Sequence, residues 1–568
     1  MEGPTTAPAT SAPADALPSW AAKDPALLLS PQRKKEILVA ILLGLFLAAL
    51  DQTIVGTALP TISGDLHGTN AQYTWVVTIY LLTSTITGVF YGKLSDLYGR
   101  RPMLLIGIFI FLVGSALSGL SQTMEQLILF RGIQGAGAGA LFPISLAVIG
   151  DLYTPAERGK YQGLFGAVFG ISAVIGPLLG GFLTDHYSWH WIFYVNIPIG
   201  ALAMYIIYRY LPRIVPGGNK RDLDYLGAVI FTFAISFLLI GLTNAATEPW
   251  SNVDVGGFIL IGLAVGAVFV FVESRAKQPI VPPQLFRIRA YAVSILATFL
   301  AAIGFFGAVV FLPRWFQFVK GISPTESGLQ TLALLGGLII SSVVSGQMIS
   351  RTGRYKYLIV AALAVMSVGL FLLTGLSSTT SEPQLWVWMF ITGMGIGPTL
   401  SSFTIVVQSV VPYERLGVAT GNLTFFRQVG GSVGLALVGT MFAQGYASQL
   451  SQQLVTAGVP APVANQVVAF ANSSAGSQLT NVGGGSSLKD QLAQVPALQP
   501  FVDAIASGIY QAFSIALANT FWLGLAATLV ALLAVVVGLK EVPLRGFKRA
   551  GATAGGTEMI ELPLPMAE

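Results

Sequence analysis

Three charged side chains sit where the sequence offers them no water. Asp51, Arg131 and Arg427 each lie inside an apolar stretch long enough to cross the ~30 Å hydrocarbon core of a bilayer. A charge at such depth costs about 2.5–3.5 kcal/mol on insertion scales, which makes each a candidate functional group. Asp51 lies about 12 Å from the outer end of its stretch at 1.5 Å per residue, and Arg131 lies about 10 Å from the outer end of its own. At matching depth the two can form a proton-exchanging pair, because desolvation and the guanidinium act on the acid in opposite senses. The same residues could equally be a static ion pair holding two helices together. Arg427, roughly 20 Å into its stretch, meets no carboxylate at membrane depth in the second half of the chain. Backbone carbonyls, an anionic substrate group, or a structural role beside Gly430 and Gly431 are all open to it.

The elements that must position these groups follow from composition. The chain has 568 residues, 54% hydrophobic, 10% charged, without cysteine. A soluble protein carries about 25% charged residues, so a soluble enzyme is excluded. The apolar runs are continuous rather than alternating, which excludes a β-barrel. Lack of cysteine removes disulfides, thiolate metal sites and cysteine nucleophiles. Apolar runs fall near 37–59, 71–92, 103–121, 124–149, 159–184, 189–210 and 223–243. Seven more fall near 254–272, 290–313, 325–349, 356–376, 384–410, 416–444 and 509–539. The expected fold class is an all-α polytopic membrane protein with fourteen transmembrane helices. An even number of spans puts both termini on one side. Nearly all of the 30 Lys and Arg residues fall in one alternate set of loops, so that side is expected to be cytoplasmic. The net charge of +5 is therefore topological, and no nucleic-acid partner is implied. Residues 1–36 and 541–568 are expected to be disordered tails, and the first apolar run lacks the cleavage site of a signal peptide. Residues 445–508 form one long outside loop, with short amphipathic helices expected around Gln449–Val455 and Val463–Phe470.

The sequence also repeats itself. GKLSDLYGRRP (Gly92–Pro102) is echoed by GQMISRTGRYK (Gly346–Lys356), and LFRGIQGAGAG (Leu129–Gly139) by MFITGMGIG (Met389–Gly397). PAERG (Pro155–Gly159) is echoed by PYERLG (Pro412–Gly417). Six spans therefore recur as six with two between, a 6+2+6 arrangement: 37–210, 211–289 and 290–540. Parallel repeats of this kind characterise transporters with a midplane site between two rocking bundles. GKLSDLYGRRP resembles the loop motif of the major facilitator superfamily. LDQTIVGTALP (Leu50–Pro60), RGIQGAGAG, GISAVIGPLLGG (Gly170–Gly181), WHWIFYVNIPIG (Trp189–Gly200) and FFRQVGGSVG (Phe425–Gly434) resemble motifs of its fourteen-span drug:proton antiporter family. Two positions depart from the family pattern, which usually has Asn where Gly56 stands and often Arg where His190 stands.

The resemblance implies a major facilitator fold and proton-coupled export from the cell across the plasma membrane. On that reading Asp51 and Arg131 carry the coupling, and protons are the coupling ion with no other cofactor. The loop residues Gly92, Asp96, Gly99, Arg100 and Arg101 then gate the cytoplasmic side. Gly92 and Gly99 permit a tight turn, and Asp96 accepts from an Arg or from a neighbouring helix N-terminus. In the repeat Ser350 stands where Asp96 would align. Gly176, Pro177, Gly180 and Gly181 form the antiporter motif, where the proline is expected to kink its helix. GAGAG (Gly135–Gly139) lies inside an apolar helix and is read as close helix packing, not as a phosphate loop. Candidate cavity residues are Gln52, Gln134, Phe142, Phe305, Phe306, Phe403 and Arg427. With one deep acid, the expected substrates are neutral or singly charged amphipathic compounds rather than dications. Cargo remains open between drugs and an endogenous lipid, siderophore or metabolite, and a non-transporting scaffold is the third class. The protein is expected to work as a monomer among membrane lipids, its outer loop acting as a lid or docking an adaptor protein.

Overall fold

The protein was analysed as a computed structural model. It describes residues 29–541 apart from 69, 154, 213–223, 246–247, 277–278, 323, 472–487 and 494–497. The main helices are α1 (Pro31–Asp65), α2 (Asn70–Tyr98), α3 (Arg100–Ser118), α4 (Met124–Ala138), α5 (Leu141–Leu152) and α6 (Pro155–His186). They continue with α7 (Asn196–Tyr210), α8 (Tyr225–Asn244), α9 (Phe258–Glu273), α10 (Arg289–Lys320) and α11 (Leu332–Thr352). The last are α12 (Lys356–Leu373), α13 (Glu382–Val410), α14 (Leu416–Thr456), α15 (Ala461–Ala471) and α16 (Val502–Gly538). Every apolar run read from the sequence falls on a helix.

Among the described residues, thirteen helical stretches are long and apolar enough to cross a membrane, α4 and α5 forming one of them. The expected span at 416–444 lies on α14, which is long enough but less apolar, because Asn422, Arg427, Gln428 and several glycines interrupt it. Two boundaries differ from expectation. Residues 31–36 belong to α1, not to a tail, because Ser30 caps the helix by accepting the Arg33 N–H at 3.3 Å. Residues 1–28 and 542–568 lie outside the described residues. Gln449–Val455 is no separate helix; it is the last part of α14, where Leu450 and Leu454 are buried. Val463–Phe470 does fall on a short helix, α15.

The helices pair in a pattern that occurs twice. α1 packs on α6 and α7, as α10 packs on α14 and α16; α4 lies between α2 and α3, as α13 lies between α11 and α12. The glycines read as packing residues show why. A Cβ at Gly135 or Gly139 would overlap α2, and one at Gly137 would overlap the Phe111 backbone of α3. Gly393, Gly395 and Gly397 repeat this alternation between α11 and α12. Without side chains there, backbones approach closely and van der Waals contact replaces the hydrophobic drive that lipid cannot supply. The two sets meet along two seams, α6 on α11 and α14 on α2. α8 and α9 pack on each other, and α8 also lies against α2 and α14. There Phe231 of α8 sits 5.7 Å from Phe90 of α2 and 5.2 Å from Phe425 of α14, ring centre to ring centre.

Candidate functional site: a buried acid, a latch and an unpaired arginine

The Asp51 carboxylate is 0% exposed and satisfied by three donors from two other helices. Arg131 Nη1 of α4 donates to Oδ2 at 2.6 Å, and Gln134 Nε2 donates to Oδ1 at 2.8 Å. Asn196 Nδ2 of α7 donates to the same Oδ1 at 3.0 Å and also to Ser115 Oγ of α3 at 3.0 Å. The Arg131 guanidinium lies 4.2 Å from the Tyr80 ring of α2. One carboxylate thus ties together four helices of the first set and touches a fifth. The matched depth of Asp51 and Arg131 is real contact. Gln134 belongs to this network and is 0% exposed, so it faces the acid instead of a cavity. Gln52, the next residue along α1, is exposed. Asn196, Ser115 and Tyr80 were not singled out from sequence. Asn196 alone carried a signal, since it stands in the WHWIFYVNIPIG motif.

A second cluster joins the two sets at the end where α1 begins and α16 finishes. Asp96, near the end of α2, accepts the backbone N–H of Gly417 at 3.0 Å and of Val418 at 2.9 Å. Those are the first free donors of α14, where the helix dipole favours an anion. Arg100 bonds Asp96 and also donates through Nε to Asp151 Oδ2 at 2.8 Å, with all three side chains buried. Gly92 is helical and makes no turn. It is small because a Cβ would lie 2.7 Å from the Gly417 carbonyl oxygen. Gly99 does make the turn, at φ 104°. Arg101 points elsewhere, its guanidinium 4.6 Å from the Tyr208 ring. Nearby, Arg158 donates to the carbonyls of Tyr153, Gly150 and Gln408, and Gln408 Nε2 donates to the Leu146 carbonyl at 3.0 Å. Asp151 and Gln408 escaped the sequence reading because only the fold brings them together, and Arg158 was seen only as part of the repeated PAERG segment. In the repeat, the Ser350 hydroxyl has no partner among the described residues.

The antiporter motif packs α6 on α1. A Cβ at Gly176 would overlap the Thr53 hydroxyl, which donates to the Ser172 carbonyl at 2.9 Å. A Cβ at Gly180 would press on Ile54 at 3.0 Å, whereas Gly181 faces open space. α6 runs as helix through Pro177 without a break.

Of the aromatic cavity candidates, Phe142 of α5 lies 5.8 Å from the Arg427 guanidinium across the junction of the two sets. Phe305 lines a small cavity with Arg427, Thr298 and Thr399. Phe306 packs on Gly431, where a Cβ would stand 2.5 Å from its ring. Phe403 is 0% exposed and packed within the hydrophobic core of the second set.

Comparison with known proteins agrees with this architecture. The chain is 39% identical over 437 residues to an MFS-type transporter of Mycobacterium tuberculosis, covering 77% of this chain and 63% of that protein. It therefore spans less than two thirds of that relative's length. It is 33% identical over 527 residues to Multidrug resistance protein 3 of Bacillus subtilis, covering 92% of this chain and 97% of the relative. The crystal structure of the human organic anion transporter MFSD10 superposes with a TM-score of 0.55 at 15% identity, covering 88% of this chain and 100% of that one, a likeness of fold alone. A sequence profile described as Major Facilitator Superfamily matches residues 41–435. The chain is a multi-pass membrane protein and belongs to the major facilitator superfamily.

Proposed function

We propose that the protein is a proton-coupled exporter that moves amphipathic drugs or similar small molecules out of the cell by alternating access. Asp51 is its proton carrier. The observation that carries this reading is the Asp51 carboxylate, 0% exposed at membrane depth and 2.6 Å from Arg131. Three N–H donors hold the ionised form. A proton on Asp51 removes the charge they answer, loosens α1 from α4 and α7, and links protonation to movement of one helix set against the other. In the latched arrangement the acid is closed off. When the latch parts, water from the other side reaches it, and the proton is exchanged for cargo.

The names of several relatives support the cargo class. The energy is adequate. A driving force of about 150 mV supplies about 3.5 kcal/mol per proton, enough for roughly a 300-fold gradient. On this reading α14 is a fourteenth span, 37–210 and 290–540 are the two rocking bundles, and 211–289 holds the two added helices. The positive loops face the cytoplasm, so the termini do too, and the membrane is the plasma membrane. The protein works as a monomer needing no cofactor besides protons, and loop 445–508 lids the outer mouth.

The test is uptake of a fluorescent dye into inverted vesicles, whose outer surface is the cytoplasmic face, under an imposed pH gradient with the interior acid. Asp51→Asn keeps the shape of the site and removes the proton carrier, so gradient-driven transport should vanish while expression persists. Unimpaired pH-driven transport by that variant would refute the assignment.

A further inference from the structure

Two arginines lie where the helix sets meet, and they are used differently. Arg158 spends its fork on backbone carbonyls, donating to Tyr153, Gly150 and Gln408. Arg427, three turns into α14, does not. Its Nε and Nη2 are buried, and neither has a hydrogen-bond partner among the described residues. It takes part in none of the ion pairs there, which join Arg100 to Asp96 and Asp151, Arg131 to Asp51, and Lys489 to Asp503. A buried guanidinium left this way is costly, because its desolvation is offset by no counter-charge.

The surroundings say what would answer it. Arg427 lines a cavity with Thr298, Phe305 and Thr399. The Thr298 hydroxyl is also buried without a partner. The Thr399 hydroxyl already donates, to the Ile396 carbonyl at 2.7 Å. Three unused donor groups, two of them on one guanidinium, therefore belong to residues that line one cavity. Donors in that arrangement fit an oxyanion, and a guanidinium fork matches a carboxylate in particular. Phe305 and, across the junction, Phe142 provide apolar surface beside it. Asp51 offers no comparable welcome to a cation, since both of its oxygens already accept from protein donors.

We propose that Arg427 and Thr298 form an anion subsite in the cargo path, and that the protein binds amphipathic monoanions, with the carboxylate on Arg427 and the apolar body against Phe305 and Phe142. This deepens the exporter reading and rests on it for the cavity being the path of cargo. It also narrows the expectation from the sequence, neutral or singly charged cargo rather than dications, to a single negative charge. The cavity is closed to about 10 Å³ in this structure, close to the room one water needs. The anion enters when the two sets part and Phe142 withdraws.

The experiment measures binding first. Purified full-length protein in nonionic detergent is titrated with dansyl-undecanoic acid and with its methyl ester, read by energy transfer from tryptophan. Wild type should prefer the acid by about tenfold or more, the effect of one charge-assisted pair. The preference should fall toward one in Arg427→Gln, return in part in Arg427→Lys, and drop by about two- to threefold in Thr298→Val. Equal binding of acid and ester by wild type, or an unchanged preference in Arg427→Gln, would overturn the proposal. Displacement of the acid by phosphatidylglycerol would overturn its assignment to a free solute and give the subsite to a lipid headgroup. Flux is then measured in vesicles under a pH gradient. Acid-selective binding without any flux supports the subsite and sinks the exporter reading. Gradient-driven flux of the ester with none of the acid does the reverse.

Discussion

On the proposed reading, the contact between Asp96 and the start of α14 sets the balance between two arrangements of the molecule, and that balance can be measured. Asp96 is almost fully buried and accepts two backbone N–H groups, from Gly417 and Val418, besides the Arg100 guanidinium. In Asp96→Asn the charge is lost, and the new amide group has only one oxygen to offer three donors. Each lost bond to a charged acceptor is worth about 1.5–3 kcal/mol. The helix N-terminus adds about 0.3–1 kcal/mol of favourable dipole interaction that the neutral amide forgoes. The Arg100 bond joins residues of the first set and is kept when the sets part, so loss of one of the two bonds to α14 together with the dipole leaves about 2–4 kcal/mol, roughly a hundredfold shift away from the latched arrangement. The chain has no native cysteine, so a spin-label pair can be placed cleanly. Tyr205 of α7 and Tyr357 of α12 are 64% and 71% exposed, one on each helix set. With cysteines there, double electron–electron resonance should show a single short distance in wild type and a dominant longer one in Asp96→Asn. Gly92→Ala should move the distribution the same way, because its methyl group meets the Gly417 backbone, which cannot step aside cheaply. An unchanged distribution in both variants would refute the latch.

Two further outcomes follow from packing. Gly137→Val forces side-chain atoms into the Phe111 backbone, and overpacking of this kind costs about 1–3 kcal/mol; a lowered melting temperature in detergent checks it. Phe231→Ala empties the space between Phe90, Phe269 and Phe425, a loss of about 3–5 kcal/mol if α8 stays in place. Its measure is the melting temperature together with proteolysis of the α8–α9 pair, which should become faster.

Much of this was legible in the chain. Continuous apolar runs must become helices in lipid, since no other open structure satisfies the backbone there, and each run is found on a helix. The pairing of Asp51 with Arg131 could be read because two isolated charges at equal depth have few other partners. Asp96 was given an Arg or a neighbouring helix start as its partner, and it takes both. Other features depended on distance across the fold. Asn196 reaches Asp51 over 145 positions, and Gln408 reaches the Leu146 carbonyl over 262; neither residue type announces a partner. Gly92 was read as a turn because glycine allows one, but its place in α2 reflects the approach of a second backbone. Phe403 shows the limit for aromatic residues, since core, lipid and cavity faces use the same side chain. The end of α14 was missed because polar residues such as Gln449 and Gln452 resemble a loop, while Leu450 and Leu454 pack inward.

α14 is a single rod of 41 residues, about 60 Å long at 1.5 Å per residue. Its first turn holds Asp96, and Arg427 stands about 16 Å further along. Beyond Arg427 the rod continues for about 44 Å. If Arg427 is the fulcrum, the two arms differ in length by a factor of about 2.6, so a 3 Å step at the short arm sweeps the far tip through about 8 Å. With α14 as a fourteenth span, as proposed, a small rupture beside Asp96 is thereby geared up into a wide excursion at the opposite face of the membrane.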